Sequence, residues 1–509
     1  MKRKISFKFI SIILILCMTF LVLSIISSCS QNNNPVNTNS SEANNSNADT
    51  SITAETVTEA PKILPDLPEK DFGGYEFKII TSDYNADPNM PREIGAEAEN
   101  GDPINDAIYA RNRSIEEKYN VKIKEILYAR DEMNAPVKKA VLAADNSYDL
   151  VCSNIYQAGI LSQAGCLLDL NQVNYLELTK PWYDQNAAAD LSVGHKLFYA
   201  VGDLQISDND GTWAVLFNKN MLQNLGLEDP YKLVRDGKWT MDKFFEFASA
   251  ANKDLNGDGI INEEDQVGIE GEAFDIYALM NGAGTQLVPK DENDLPYYAG
   301  YTSKDIDIFN KGAAYLGDKT KTILAENYAD KFTWANVWND FINPLYTTNR
   351  ILFFFTSLSR VTYLRSSDVD FGILPVPKYD ESQGNYVSTV SVWLASGVSI
   401  PSNLSGENLD RSAIIAEALS AESLYTLTPA YYEIQLKTKL TRDNESSEML
   451  DLIFSNRIYS LVQLYDWGGM ISTINGLLIK ANPNFVSSMD AIENKINTAI
   501  AKTIKAYGE

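Results

Sequence analysis

Apolar and polar positions alternate along Tyr75-Glu76-Phe77-Lys78-Ile79-Ile80, and the run ends in a polar stretch from Thr81 to Asn89. A period of two predicts a strand with one buried face. Behind it, Ile104, Ala107, Ile108 and Ile115 recur at helical spacing over residues 103–119. Pro103 opens that stretch, and its fixed φ suits a first helical turn. Val121 to Leu127 predicts a second strand. Val137, Ala140, Val141 and Ala144 predict a helix over 134–145, Tyr148 to Ser153 a third strand, and 157–164 a short helix. Strand and helix in strict alternation predict a parallel α/β sheet.

The pattern changes from about residue 203. Trp213 to Asn218 predicts a strand, residues 240–252 an amphipathic helix, and further helices follow to about 345. The apolar runs Arg350 to Phe355 and Asp370 to Pro375 predict strands again. The simplest path assigns 70–202 to a first lobe, 203–345 to a second, and 346–407 to a return into the first lobe. Residues 408–509 then form a helical region that packs on or bridges both. The fold class expected is α/β, in two lobes, and 509 residues are ample for two such cores.

The N-terminus carries a different pattern. Met1 to Lys8 is basic, Phe9 to Leu23 is almost wholly apolar, and Ile26-Ser27-Ser28-Cys29 follows. That is the layout of a secretory signal over residues 1–28. Small residues just before a cysteine resemble the lipobox of bacterial lipoproteins, and this resemblance implies diacylation of the Cys29 thiol and its exposure as a new N-terminus. A spanning anchor or a plain cleaved signal are the alternatives. Residues 29–69 are rich in Asn, Ser, Thr, Ala, Glu and Pro. So few large apolar groups cannot offset the entropy of ordering, so this stretch is expected to be a flexible tether.

Composition narrows the function. The net charge is −25, and removal of Lys2, Arg3, Lys4 and Lys8 with the signal takes it to −29. So acidic a surface repels phosphate backbones and excludes nucleic acid as a natural partner. The four cysteines (17, 29, 152 and 166) form no Cys-x-x-Cys pair. Cys152 and Cys166 are expected as buried thiols, with a disulfide between them as the alternative. His195 is the one histidine. Sites built on paired histidines are therefore excluded, and His195 itself, beside Gly194 before the expected strand Leu197 to Ala200, reads as a turn residue. Neither a phosphate-binding Gly-Lys-Ser/Thr loop nor a nucleophile elbow is present.

One constellation does carry chemistry. From Asp254 to Asp265, oxygen side chains fall at loop positions 1, 3, 5, 9 and 12, with Gly259 at position 6. Hard oxygen donors at alternate positions wrap a cation, and glycine allows the sharp turn. The expected Ca2+ ligands are Asp254, Asn256, Asp258, the Ile260 carbonyl, Asn262 and Asp265, with a structural role. Asp in place of Glu at position 12 weakens the grammar, and an acidic surface turn is the alternative.

In open parallel sheets, ligands bind beyond the carboxyl ends of the strands. Those ends hold Asp83, Tyr84, Asn154 and Tyr156. Asp208, Asp210 and Trp213 lie at the crossover to the second lobe, Trp334 and Trp338 in that lobe, and Trp393 near the return. With 7 Trp, 27 Tyr and 20 Phe the chain has flat apolar faces of the kind that carbohydrate sites use. A secreted polysaccharide hydrolase built on paired carboxylates such as Asp208 and Asp210 is the rival reading.

Several phrases then carry a family likeness: Leu197 to Asp203 entering Trp213 to Lys219; Leu225-Gly226-Leu227-Glu228-Asp229-Pro230 with Gly237 to Phe244; the acidic loop closing on Asp265-Gln266-Val267-Gly268-Ile269; and Phe371 to Lys378. In order and spacing the chain resembles the extracellular solute-binding proteins of ABC importers, in particular the family 1, sugar-binding type. The resemblance implies a periplasmic-binding-protein-like fold, a hinge, a ligand cleft between the lobes, no catalysis, and an ABC permease with its ATPase as partners.

Overall fold

The computed structural model describes residues 62–83, 93–364, 367–432 and 444–508. The expected signal segment, Cys29, the tether as far as residue 61, and Tyr84 lie outside these residues. Among the described residues no helix is long and apolar enough to cross a membrane.

The first sheet has strand order β10-β3-β1-β2. Its centre is β1 (Tyr75–Asp83), parallel to β2 (Val121–Ala129) and to β3 (Leu150–Asn154). Phe77, Ile79 and Ile80 are fully buried, and all five residues of β3 are buried, as expected of a strand covered on both faces. The helix Pro103–Tyr119 is capped by Asp102, whose carboxylate accepts from the Ile104 and Asn105 amides. Leu197 to Ala200 is not a strand; it contributes only the bridge between Ala200 and Val398.

The second sheet has order β6-β5-β7-β4-β8. Its members are β4 (Trp213–Asn218), β5 (Val267–Gly271), β6 (Thr322–Leu324), β7 (Ile351–Ser357) and β8 (Phe371–Leu374). This corrects the path expected over 346–407. The strands β7 and β8 do not rejoin the first lobe: both pair antiparallel with β4, Phe355 opposite Val215 and Ile373 opposite Leu216. Phe353, Phe354 and Phe355 are fully buried there, filling both faces of the second sheet. The return comes later, at β10 (Ser396–Ser399), which pairs antiparallel with β3.

The chain passes between the sheets by residues 204–212 and again by residues 388–395. The second passage contains β9 (Ser388–Thr389), which pairs in parallel with β11 (Arg457–Ile458), and Thr212 bridges Val390. C-terminal helices pack on both sides of these crossings. Gly406–Ser423 lies on Pro103–Tyr119 of the first lobe, Met470–Ile479 on Asp275–Gly282 of the second, and Phe485–Ala506 touches both Ser303–Leu316 and Ile155–Gln163.

Candidate functional site

The two sheets bring their loop-bearing ends toward the crossings. In the first lobe β3 ends at Asn154, where the helix Ile155–Gln163 begins. Asn154 Oδ1 accepts the Gln157 amide at 2.9 Å, and Asn154 Nδ2 donates to the Trp393 carbonyl at 3.1 Å. The Ile155 and Tyr156 amides donate to the Ala395 and Val392 carbonyls, both at 2.9 Å. Asn154 is therefore a buried joint that fixes the second crossing against the first lobe. Tyr156, half-buried, is left facing Trp393. Asp83 closes β1 at the same end of the sheet.

In the second lobe β5, β6 and β7 are parallel and β4 runs against them, so the N-terminal Trp213 of β4 shares an edge with the carboxyl ends of the other three. Trp213 Nε1 donates to Asp275 Oδ1 at 2.8 Å, and Asp275 Oδ2 accepts the Glu272 amide at 2.8 Å. Both oxygens of Glu326, just beyond β6, accept the Ala273 amide at 2.9 Å. Only glycine fits at position 271: a Cβ there would lie 2.0 Å from Asp275 Oδ2 and 2.9 Å from the Phe355 carbonyl. Two carboxylates and one glycine thus set the course of the 271–275 loop, and that loop carries Phe274 and Glu272.

The rings form a continuous path between the lobes. Tyr156 and Trp393 have centroids 6.1 Å apart, Trp393 and Phe274 6.0 Å, and Phe274 and Trp213 4.9 Å, the last two pairs edge to face. Trp213 and Phe274 are buried, while Trp393 and Tyr156 keep part of their surface open. Farther along the second lobe, Trp338 lies in a π-helical turn, Trp338–Ile342, with the Arg360 guanidinium 4.6 Å from its ring centre. Trp334 stands edge to face with Trp338 at 5.9 Å and is 48% exposed.

The electrostatics of this end are unbalanced. Burial, together with the Glu326 charge, pushes the Glu272 carboxyl up to about 8, against the pull of Arg360. Burial and the Glu272 charge hold Asp275 well above the usual carboxylate range, and burial raises Glu326. Glu272, Asp275 and Glu326 were not singled out in the sequence. The signal was available: all three lie at or just past strand ends, the rule applied above only to the first lobe.

Asp208 and Asp210 do not join this group. Both are buried in the turn Ser207–Asp210 of the first crossing. Asp208 pairs with Arg457 at 2.9 Å, and Asp210 accepts from the Tyr431 hydroxyl at 2.7 Å. The C-terminal region thus supplies a partner for each of them.

The 254–265 loop joins the helix Met241–Ala251 to β5 and wraps around Asp254, whose carboxylate accepts the Gly257 amide at 2.6 Å and the Gly259 amide at 2.8 Å. Asn256 and Asp258 accept the Asp258 and Ile260 amides, and Asn262 the Glu264 amide. Asp265 is fully buried and accepts from the Leu255 and Asn262 amides at 2.8 and 3.0 Å, so it pins the loop closed. No group of three or more His, Cys, Asp or Glu side chains among the described residues is disposed to hold a metal ion. The donors left for a cation are Asp254, Asn256, Asp258, Asn262 and the Ile260 carbonyl. Elsewhere, His195 is an exposed turn residue at φ 59°, and Cys152 and Cys166 are buried free thiols.

Comparison with known proteins agrees with this architecture. No curated protein matches the chain in sequence. Among solved structures, the cyclic alpha-maltosyl-1,6-maltose binding protein from Arthrobacter globiformis superposes with a TM-score of 0.56 at 11% identity, over 84% of this chain and 99% of that one. An ABC substrate-binding protein from Listeria monocytogenes, in complex with cycloalternan, gives 0.52 at 12%, over 86% and 99%. UgpB from Mycobacterium tuberculosis, in complex with glycerophosphocholine, gives 0.54 at 14%, over 85% and 99%. At such identities the likeness is one of fold: two α/β lobes. The family model described as bacterial extracellular solute-binding protein matches residues 111–429. The chain belongs to the bacterial extracellular solute-binding proteins, a family of binding proteins rather than enzymes.

Proposed function

We propose that this protein is a lipid-anchored receptor that captures a carbohydrate between its two lobes and delivers it to an ABC permease driven by its ATPase. The observation that carries this reading is the ring path Tyr156–Trp393–Phe274–Trp213, which runs from one lobe to the other across the second crossing segment. Aromatic faces with carboxylates beside them suit the apolar C–H faces and the hydroxyls of a sugar. Structural relatives in complex with oligosaccharides support the same reading. A solute touching both lobes binds the closed arrangement better than the open one, and shifts their equilibrium by that difference alone. Calorimetry with mono- and oligosaccharides tests this. The expected result is binding without turnover, lost in Trp393→Ala and Tyr156→Ala. Release of shorter sugars would instead favour the hydrolase reading, and affinity unchanged in both variants would contradict the placement.

Two further parts belong to the proposal. Cys29 carries the lipid, supported by Ile26-Ser27-Ser28-Cys29 and the polar segment after it. The 254–265 loop binds Ca2+ as a staple between its helix and β5, through Asp254, Asn256, Asp258, Asn262 and the Ile260 carbonyl; the wrapping of the loop around Asp254 supports this.

A further inference from the structure

Glu270 breaks the apolar pattern of its own strand. It is the fourth residue of β5, in register with Ile323 of β6 and Phe354 of β7, and it is fully buried. Neither of its carboxyl oxygens meets a hydrogen-bond donor among the described residues. Residues in register share a face of the sheet, so Glu270 lies on the same face as Phe354. The Tyr346 ring packs on Phe354 with centroids 5.5 Å apart. Burial and the nearby Glu270 charge raise the Tyr346 hydroxyl well above its usual range. Asn343 stands three residues before Tyr346 in the helical segment Asn343–Tyr346, which puts both on one side of it. Both residues are fully buried, and Asn343 Oδ1, Asn343 Nδ2 and the Tyr346 hydroxyl also lack a partner. Around them Leu216, Ile323, Ile342 and Phe354 belong to one apolar cluster with Tyr346. Five polar atoms on three side chains thus lie unmet in an apolar core, where native interiors rarely leave one.

From this arrangement we infer that the second lobe contains an internal water-binding site whose ligands are Glu270, Asn343 and Tyr346. The atoms decide the kind of ligand. Asn343 Nδ2 and the Tyr346 hydroxyl are donors, while the Glu270 oxygens and Asn343 Oδ1 are acceptors. A metal ion would meet the acceptors and leave the donors unmet, and an anion would do the reverse. Full burial of all three side chains puts them beyond the reach of a solute. Water donates two hydrogens and accepts two, and a buried water makes about three hydrogen bonds to polar groups of this kind. The backbone beside the site is irregular as well: the π-helical turn Trp338–Ile342 ends just before Asn343, and such turns are frequent at functional sites. Glu270 directly precedes Gly271, from which the loop bearing Phe274 departs. The water therefore ties the end of β5 to the segment 343–346 beneath that loop, whatever solute the cleft takes.

The test is a crystal structure of the whole protein grown from sodium chloride, together with melting curves in the presence of a chelator. An ordered water is expected at about 2.8 Å from polar atoms of all three side chains. A peak at about 2.4 Å from their oxygens would be a cation, and direct hydrogen bonds among the three side chains with nothing between them would leave no site; either result overturns the inference. The melting curves compare the unaltered protein with Tyr346→Phe. Removing a buried hydroxyl that is hydrogen-bonded costs stability, whereas removing an unmet one relieves it. Tyr346→Phe should therefore lower the melting temperature by about 1–3 °C, and an unchanged or raised value overturns the inference. The unaltered protein should melt alike in sodium, potassium and choline chloride. A preference for sodium or potassium that vanishes in Glu270→Gln would assign the site to a cation and overturn it. Should a variant not fold, the crystal structure of the unaltered protein decides alone.

Discussion

Arg457 is the place where a single change should unsettle the crossings most. It lies in β11 with its side chain 12% exposed, and its guanidinium reaches Asp184 at 2.7 Å, Asp208 at 2.9 Å and Asn209 at 2.7 Å. Tyr459 adds a hydroxyl donated to Asp184 at 2.9 Å. Burial works against the Arg457 charge, and Tyr459, Asp208 and Asp184 more than offset it. Removing the guanidinium leaves two buried carboxylates facing one another without a counter-ion. Removing one partner of a buried ion pair costs about 3–5 kcal/mol, because the remaining charge stays desolvated. Arg457→Met, which keeps the apolar stem, should therefore lower the unfolding free energy in urea by about that amount. The double variant Arg457→Met/Asp208→Asn removes one of the stranded charges and should lie above the sum of its single changes by at least about 1 kcal/mol. A loss below about 1 kcal/mol in Arg457→Met, or strict additivity in the double variant, would refute the network as a structural joint.

Three other outcomes follow from the same structure. Burial raises the Glu93 and Asp203 carboxyls to about 7, so the folded chain keeps protons that the unfolded chain has already released. Stability should fall as pH rises from about 4.5 to about 7, by about 3 kcal/mol for Glu93; urea unfolding at pH 5 and pH 8 reads this, Glu93→Gln should reduce it and leave the share of Asp203, and a midpoint that rises with pH would contradict it. Calcium should raise the melting temperature and a chelator lower it, with most of the response lost in Asp258→Ala; superimposable melting curves would count against the cation. Fatty-acid labelling in a bacterial host should mark the unaltered protein and spare Cys29→Ala; equal label in both would remove Cys29 as the lipidation site.

Local order was legible in the sequence where period and punctuation agree. Trp213–Asn218 and Pro103–Tyr119 fall within the residues their patterns mark, since an apolar run closed by a polar Asn218 and a proline-headed helical stripe each admit one local structure. Partnership was not legible in the same way. Ile351–Ser357 is buried along its whole length, so no polar face indicates which sheet it joins; pairing with β4 is decided by Phe355 meeting Val215, a contact between distant segments. The same limit hid the protein partners of Asp208 and Asp210: Arg457 and Tyr431 stand more than two hundred residues along the chain. Glu272 went unmarked because an acid after a strand is ordinary until the structure places Asp275 and Glu326 around the same loop.

The central claim is that solute is held between the lobes by the loops at the sheet ends. Backbone hydrogen–deuterium exchange, with and without a saturating concentration of the best-binding saccharide, tests it most directly. The account predicts slowed exchange together at residues 154–157 of the first lobe, 271–275 of the second and 390–395 of the crossing between them. Protection confined to one lobe, or lying away from all three segments, would contradict it.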